Sequence, residues 1–206
     1  MDTAFVGCGN LGMAILSRAV RAGSLDAART LVVERDATRR GQAAALGARV
    51  TETASEAREA RMLVLAVKPQ HFADAARELC AYGAPHAGTL AVSVMAGWSS
   101  ARIRHALGGA VRVVRAMPNT PAQVGLGMTA IARGAGADAA DVAAATRLFE
   151  AVGAVAEIAE EHVDAAVAAV GSAPAYLFLL AEAQIQAARS MGIDAATART
   201  MTVQTM

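Results

Sequence analysis

Lysine is nearly missing from this chain of 206 residues: 18 of its 19 basic residues are arginine, and Lys68 stands alone. Aromatic residues make up only 3%, too few for a base-stacking surface. The formal net charge is +1, so there is neither a basic footprint for nucleic acid nor an acidic tail. Two cysteines, Cys8 and Cys80, cannot supply a disulfide framework or a zinc site; no metal is expected, and a reducing cytoplasm is the expected setting. Charged residues are expected to interrupt every apolar run short of 18 residues, which predicts no membrane span. The opening Met1-Asp2-Thr3-Ala4-Phe5-Val6 lacks a basic n-region and predicts no signal peptide.

What is present is a globular composition, 55% hydrophobic and 18% charged. Continuous apolar runs alternate with helical patterns. Strands are predicted at 3–6, 31–33, around Val50, and at 62–67, 90–94 and 111–116. Helices are predicted at 10–21, 37–46, 72–81 and 101–107. Continuous rather than alternating apolar strands indicate a parallel sheet covered on both faces, hence a doubly wound α/β fold. The pattern then changes. A helix at 138–150 and a strand at 154–158 are followed only by helices, interrupted at Gly171 and Pro174. This predicts a first domain over 1–158 and the start of an all-helical domain over 159–206. The last helix opens near Asp194 and meets no stop signal, so the chain is expected to end inside that second domain.

Five motifs carry chemistry. Gly7-Cys8-Gly9-Asn10-Leu11-Gly12 lies between the first strand and the first helix, the context of a dinucleotide fingerprint. There the first glycine allows the turn, the second admits a pyrophosphate, and the third lets helix and strand pack closely. Glu34-Arg35-Asp36 follows the second strand, where the ribose-reading residue belongs. An acid there favours NAD and an arginine favours NADP; both are present, with Arg39 and Arg40 nearby, and the lean is to NADP. Ala66-Val67-Lys68-Pro69 sits at a strand's carboxyl end, where ligands of such sheets collect. Arg115-Ala116-Met117-Pro118-Asn119-Thr120-Pro121 places polar groups between two prolines and reads as a rigid loop. Gly171-Ser172-Ala173-Pro174-Ala175-Tyr176 kinks or restarts a helix and frees backbone groups. No nucleophilic triad is spaced for catalysis, and His71, His86, His105 and His162 are scattered.

Taken in order, FVGCGNLG, LAVKPQ, VRVVRAMPNTPA, GLGMTAI and GSAPAYLF resemble the pyrroline-5-carboxylate reductases. The resemblance implies a Rossmann domain followed by a helical domain that dimerises. It implies NADPH- or NADH-dependent reduction of L-1-pyrroline-5-carboxylate to L-proline, the last step of proline biosynthesis. It assigns the cofactor phosphates to Gly7, Cys8, Gly9, Asn10, Leu11 and Gly12, and the ribose or its phosphate to Glu34 and Arg35. Ala66, Val67, Lys68 and Pro69, with Val94, Met95 and Ala96, would line the nicotinamide side, with Thr53 and Asn119 as further contacts. Glu160 and Ser172 would stand at the reacting imine. Partners implied are a small-molecule substrate and a second copy of the chain. Two departures stand out: Val170 replaces the family's first serine in Ser-Gly-Ser, and the later glycine- and threonine-rich substrate loop is not in this sequence. Cofactor binding is therefore expected to exceed turnover. Two alternatives are kept: a related imine or β-hydroxyacid reductase, and a non-catalytic nicotinamide-binding homologue.

Overall fold

The computed structural model describes residues 1–206. Eight strands form one sheet: β1 (Thr3–Val6), β2 (Thr30–Val33), β3 (Arg49–Thr51), β4 (Met62–Leu65), β5 (Leu90–Ser93), β6 (Arg112–Pro118), β7 (Gly127–Arg133) and β8 (Gly153–Glu157), in spatial order 3-2-1-4-5-6-7-8. The helices are α1 (Asn10–Arg21), α2 (Ala37–Ala45), α3 (Phe72–Leu79), α4 (Ser100–Ala106), α5 (Ala139–Glu150), α6 (Val163–Ala166), α7 (Ala173–Ser190) and α8 (Ala195–Thr205).

The central strands are largely apolar along their length because both faces of the sheet are covered, with Thr3, Thr30 and Ser93 as buried polar exceptions. On β1, Phe5 faces one core with Ile15, Leu16 and Phe149, while Ala4 and Val6 face the other with Phe72, Leu79 and Ile103. Successive strand side chains point to opposite faces, so two cores require a continuous apolar run.

One pairing departs from an all-parallel sheet: β6 and β7 are antiparallel. The connection over 119–126 is too short to hold a crossover helix, and it turns at Gly125, φ +79. The chain then returns through α5 to lay β8 parallel to β7. After β8 no further strand forms.

The helical stretch tests the expected limit on apolar runs, and its uncharged run of 17 residues, 165–181, stays just under 18. No Asp, Glu, Lys or Arg lies between Asp164 and Glu182, and the path Glu160–Ser190 is long and apolar enough, by length and composition, to cross a membrane. That path is not one regular helix. A π-helical turn over Val167–Gly171 separates α6 from α7, and the Ser172 amide donates to the Val167 carbonyl at 2.7 Å. Pro174 follows in the first turn of α7, where its missing N–H costs nothing.

Candidate functional site

The register brings the motifs together. Val6 is paired with Val33 on one side and Leu65 on the other, and Leu65 with Ser93. The residues that follow these strands leave the sheet at one height, along one edge. Strand order reverses between β1 and β4, and a crevice opens there. It is a cleft of about 370 Å³ whose lining includes Gly7, Gly9, Glu34, Arg35, Arg39, Ala66, Val67 and Lys68. Such a switch point is where doubly wound sheets bind their ligands.

Three glycines meet three different needs. Gly7 has φ +87, and a Cβ there would lie 2.8–2.9 Å from Val67 Cγ1, the Ala66 carbonyl oxygen and the Val67 nitrogen. A Cβ on Gly12 would come to 3.0 Å from the Gly7 carbonyl oxygen, so that glycine holds α1 against the strand turn. A Cβ on Gly9 would meet only the Arg39 guanidinium, at 3.7 Å. The protein leaves that space open. Gly9 is also the N-cap of α1, with no capping side chain and no acid in the first turn. The first N–H groups of the helix are thus free for an external anion, with the positive end of the helix dipole behind them. A dinucleotide pyrophosphate fits this cradle.

Around it the charges divide into committed and free. The Glu34 carboxylate accepts the Cys8 amide at 2.8 Å and the Asp36 amide at 3.0 Å, so it braces the glycine loop from below. Arg40 donates to the carbonyls of Glu34 and Arg35 and pairs with Glu52 at 2.5 Å. Arg35 is exposed, with only a long 3.4 Å pairing to Glu78. Arg39 stands on the first turn of α2, where Asp36 caps its amide. Arg35 and Arg39, with the unpaired Lys68 across the cleft, are the cationic arms left for a ligand. Burial, and then Glu34, push the Cys8 thiol up to about 12, against a smaller opposing pull from Arg39, so Cys8 stays a neutral packing group.

The remaining sequence candidates fall elsewhere. Cys8, Asn10 and Leu11 belong to the loop and the start of α1, and Pro69 follows the cleft-lining Lys68. Val94, Met95 and Ala96 follow β5 on the same edge, but none lines the cleft; Met95 is buried. Thr53 is not in the lining either, although its neighbours Glu52 and Ala54 are. The Asn119 side-chain oxygen accepts the Met128 amide at 2.9 Å and staples the 119–126 connection to β7. Glu160 spends both oxygens on α4: one accepts the Ser100 amide at 2.7 Å, the other the Ser100 hydroxyl at 2.6 Å. Behind it lies Arg115, 5% exposed in its side chain, 3.7 Å from Glu160 and 3.1 Å from Asp164, with its Nε unpaired. Ser172 is half-buried at the kink, next to Gly171, which lies against Met117 at the end of β6. Glu160 and Ser172 share no hydrogen bond.

Sequence reasoning passed over His71, Asp74 and Glu78, which line the cleft's far side. Their spacing of three and four was a legible helical face. It also passed over the role of Arg115, for which an arginine flanked by Val113-Val114 and Ala116-Met117 in a strand was the available signal.

Residues 2–97 match the family model described as NADP oxidoreductase, coenzyme F420-dependent, and residues 160–206 match that of pyrroline-5-carboxylate reductase dimerisation. The pyrroline-5-carboxylate reductase of Vibrio alginolyticus is 37% identical over 203 residues, which cover 98% of this chain and 74% of that protein. That of Mycobacterium tuberculosis (strain ATCC 25618 / H37Rv) is 36% identical over 208 residues, 98% of this chain and 70% of that one. The structure of the Coxiella burnetii pyrroline-5-carboxylate reductase superposes with a TM-score of 0.88 at 31% identity, covering 99% of this chain and 76% of that one. With a glycine cradle open at the switch point and a kinked helical stretch beyond the sheet, the chain belongs to the pyrroline-5-carboxylate reductase family of NAD(P)-dependent oxidoreductases.

Proposed function

We propose that this chain binds NADPH in the cleft beside Gly9 and reduces L-1-pyrroline-5-carboxylate to L-proline, the closing step of proline biosynthesis. The observation that carries the reading is the match of residues 160–206, which hold the Gly171–Pro174 kink, to the dimerisation model of that reductase family. The open face of Gly9 supports the cofactor half, since the space beside it is approached only by the Arg39 guanidinium, a cation suited to a phosphate.

NADPH, when bound, supplies the hydride. The chain's own residues bind and orient. The α1 N–H groups hold the pyrophosphate, Arg35 and Arg39 meet the 2′-phosphate, and Lys68 lies in the cleft wall as a compact point charge. A protonated imine carbon is already electrophilic, so orientation and proximity matter more than a strong acid. This accords with a site in which Glu160 is fully engaged with Ser100 and Arg115. Ser172 is the polar side chain nearest the helix kink and the candidate to face the imine.

The helical stretch from Glu160 assembles two copies into a homodimer. The test is to follow NADPH consumption with pyrroline-5-carboxylate and to identify proline as the product. NADPH binding with reduction of other imines but not of pyrroline-5-carboxylate would move the chain to a related imine reductase.

A further inference from the structure

Trp98, the single tryptophan, lies outside the cleft but directly behind one wall of it. That wall is the stretch following β4, with Val67 and Lys68 leading to His71 and Asp74. The indole N–H of Trp98 donates to the Pro69 carbonyl at 3.1 Å. The ring meets Phe72 edge-on, with centroids 4.8 Å apart and planes at 79°. Phe72 is fully buried and opens α3. On the other side the Arg102 guanidinium carbon lies 4.3 Å from the indole centroid, and Arg102 also donates to the Gly97 carbonyl at 3.3 Å. Leu65 and Ser93 are register partners, so the loops that follow them leave the sheet side by side. Trp98 is the link that joins one loop to the other.

The turn it grips is closed by two backbone bonds, the His71 amide donating to the Lys68 carbonyl at 2.9 Å and the Phe72 amide to the Pro69 carbonyl, and Trp98 ties it to the loop after β5. Lys68 caps the 3-10 turn Pro69–His71 without a side-chain bond, and Pro69 has no N–H to donate. The indole bond to the Pro69 carbonyl and the edge-on contact with Phe72 fix both ends of that turn. The indole is partly buried, and its N–H left without an acceptor would carry part of the desolvation cost, so the bond is directional.

We propose that Trp98 is a positioning residue for the cofactor: it presets the Lys68–Pro69 turn and so fixes the wall against which NADPH lies. This rests on the reading of the cleft as the NADPH site.

The test is calorimetric titration of NADPH into the full chain and its variants. Trp98→Phe keeps an apolar ring and loses the donor; it is expected to raise the Kd about three- to tenfold, the worth of one hydrogen bond. Lys68→Met is expected to weaken binding as well. The double variant should be no weaker than Lys68→Met alone, because both changes act through one turn. A purely structural tryptophan would lower the unfolding midpoint and leave the Kd alone. An unchanged Kd in Trp98→Phe, or losses that multiply in the double variant, would overturn the proposal. If Trp98→Phe does not fold, Arg102→Gln decides, since it frees only the exposed face of the indole. Weaker binding there supports the tether, and Trp98→His, which keeps a ring N–H, overturns it if it binds NADPH no better than Trp98→Ala. Gly9→Val in the same titration separates the two readings. If the wild type does not bind, or Gly9→Val binds normally, the cleft assignment falls and the Trp98 role with it. If Gly9→Val abolishes binding while Trp98→Phe leaves it unmoved, only the Trp98 role falls.

Discussion

A side chain added at Gly9 would enter open space, whereas one added at Gly7 would strike the backbone of residues 66 and 67. The two substitutions therefore separate ligand from fold. Gly9→Val should keep the unfolding midpoint close to wild type and abolish NADPH binding, as checked by urea denaturation and titration. Gly7→Ala should lose at least about 1–2 kcal/mol of stability from its left-handed backbone alone. Equal effects of the two on binding with no difference in stability would contradict this division. The cofactor's second phosphate can be tested in the same way. Arg35→Ala and Arg39→Ala should each weaken NADPH by about 1.5–3 kcal/mol, the range for hydrogen bonds to charged groups, and leave NADH nearly unchanged. The glycine motif was legible because each of its spacings answers to local backbone geometry. Glu34 was legible as a position but not in its use: its bonds to the Cys8 and Asp36 amides depend on how two strand ends meet, and nothing in the local sequence states that.

At the scale of elements, the sheet was readable from its continuous apolar strands, while the reversal at β7 was not, since strand direction depends on the length and turn of the connection before it. The helix after β8 shows a similar limit. Glu160 carries the right charge for an active site, yet the fold directs it to the start of α4 and to the buried Arg115. Removing one partner of a buried charge leaves the other uncompensated. Glu160→Gln is accordingly expected to cost about 1–3 kcal/mol in urea unfolding, because Arg115 then retains only the exposed Asp164. The variant's hydride-transfer rate, measured at saturating NADPH, distinguishes the two roles. Unchanged stability with a collapsed rate would return Glu160 to the reacting centre.

At the scale of the whole molecule, α7 sets the strongest constraint. Tyr176, Leu177, Phe178, Leu179 and Leu180 are each at least half exposed. Successive helical residues are about 100° apart, so five in a row point in every direction around the axis. Of the whole helix only Pro174 is buried, and α8 covers one side. Burying such a side chain contributes about 1.5–3 kcal/mol, so five left in water are a large unmet gain. A second copy that wraps the helix satisfies this through one self-complementary interface. The match of residues 160–206 to a dimerisation model supports the same occupant. Sedimentation velocity should therefore find a species of twice 20.9 kDa, about 42 kDa. Phe178→Glu with Leu180→Glu should shift that species to monomer or to aggregates while NADPH binding persists in the soluble fraction. A well-behaved wild-type monomer would refute the dimer. Partition of the wild type into lipid vesicles, with no dimer in solution, would instead mean that the same apolar helix seeks a bilayer.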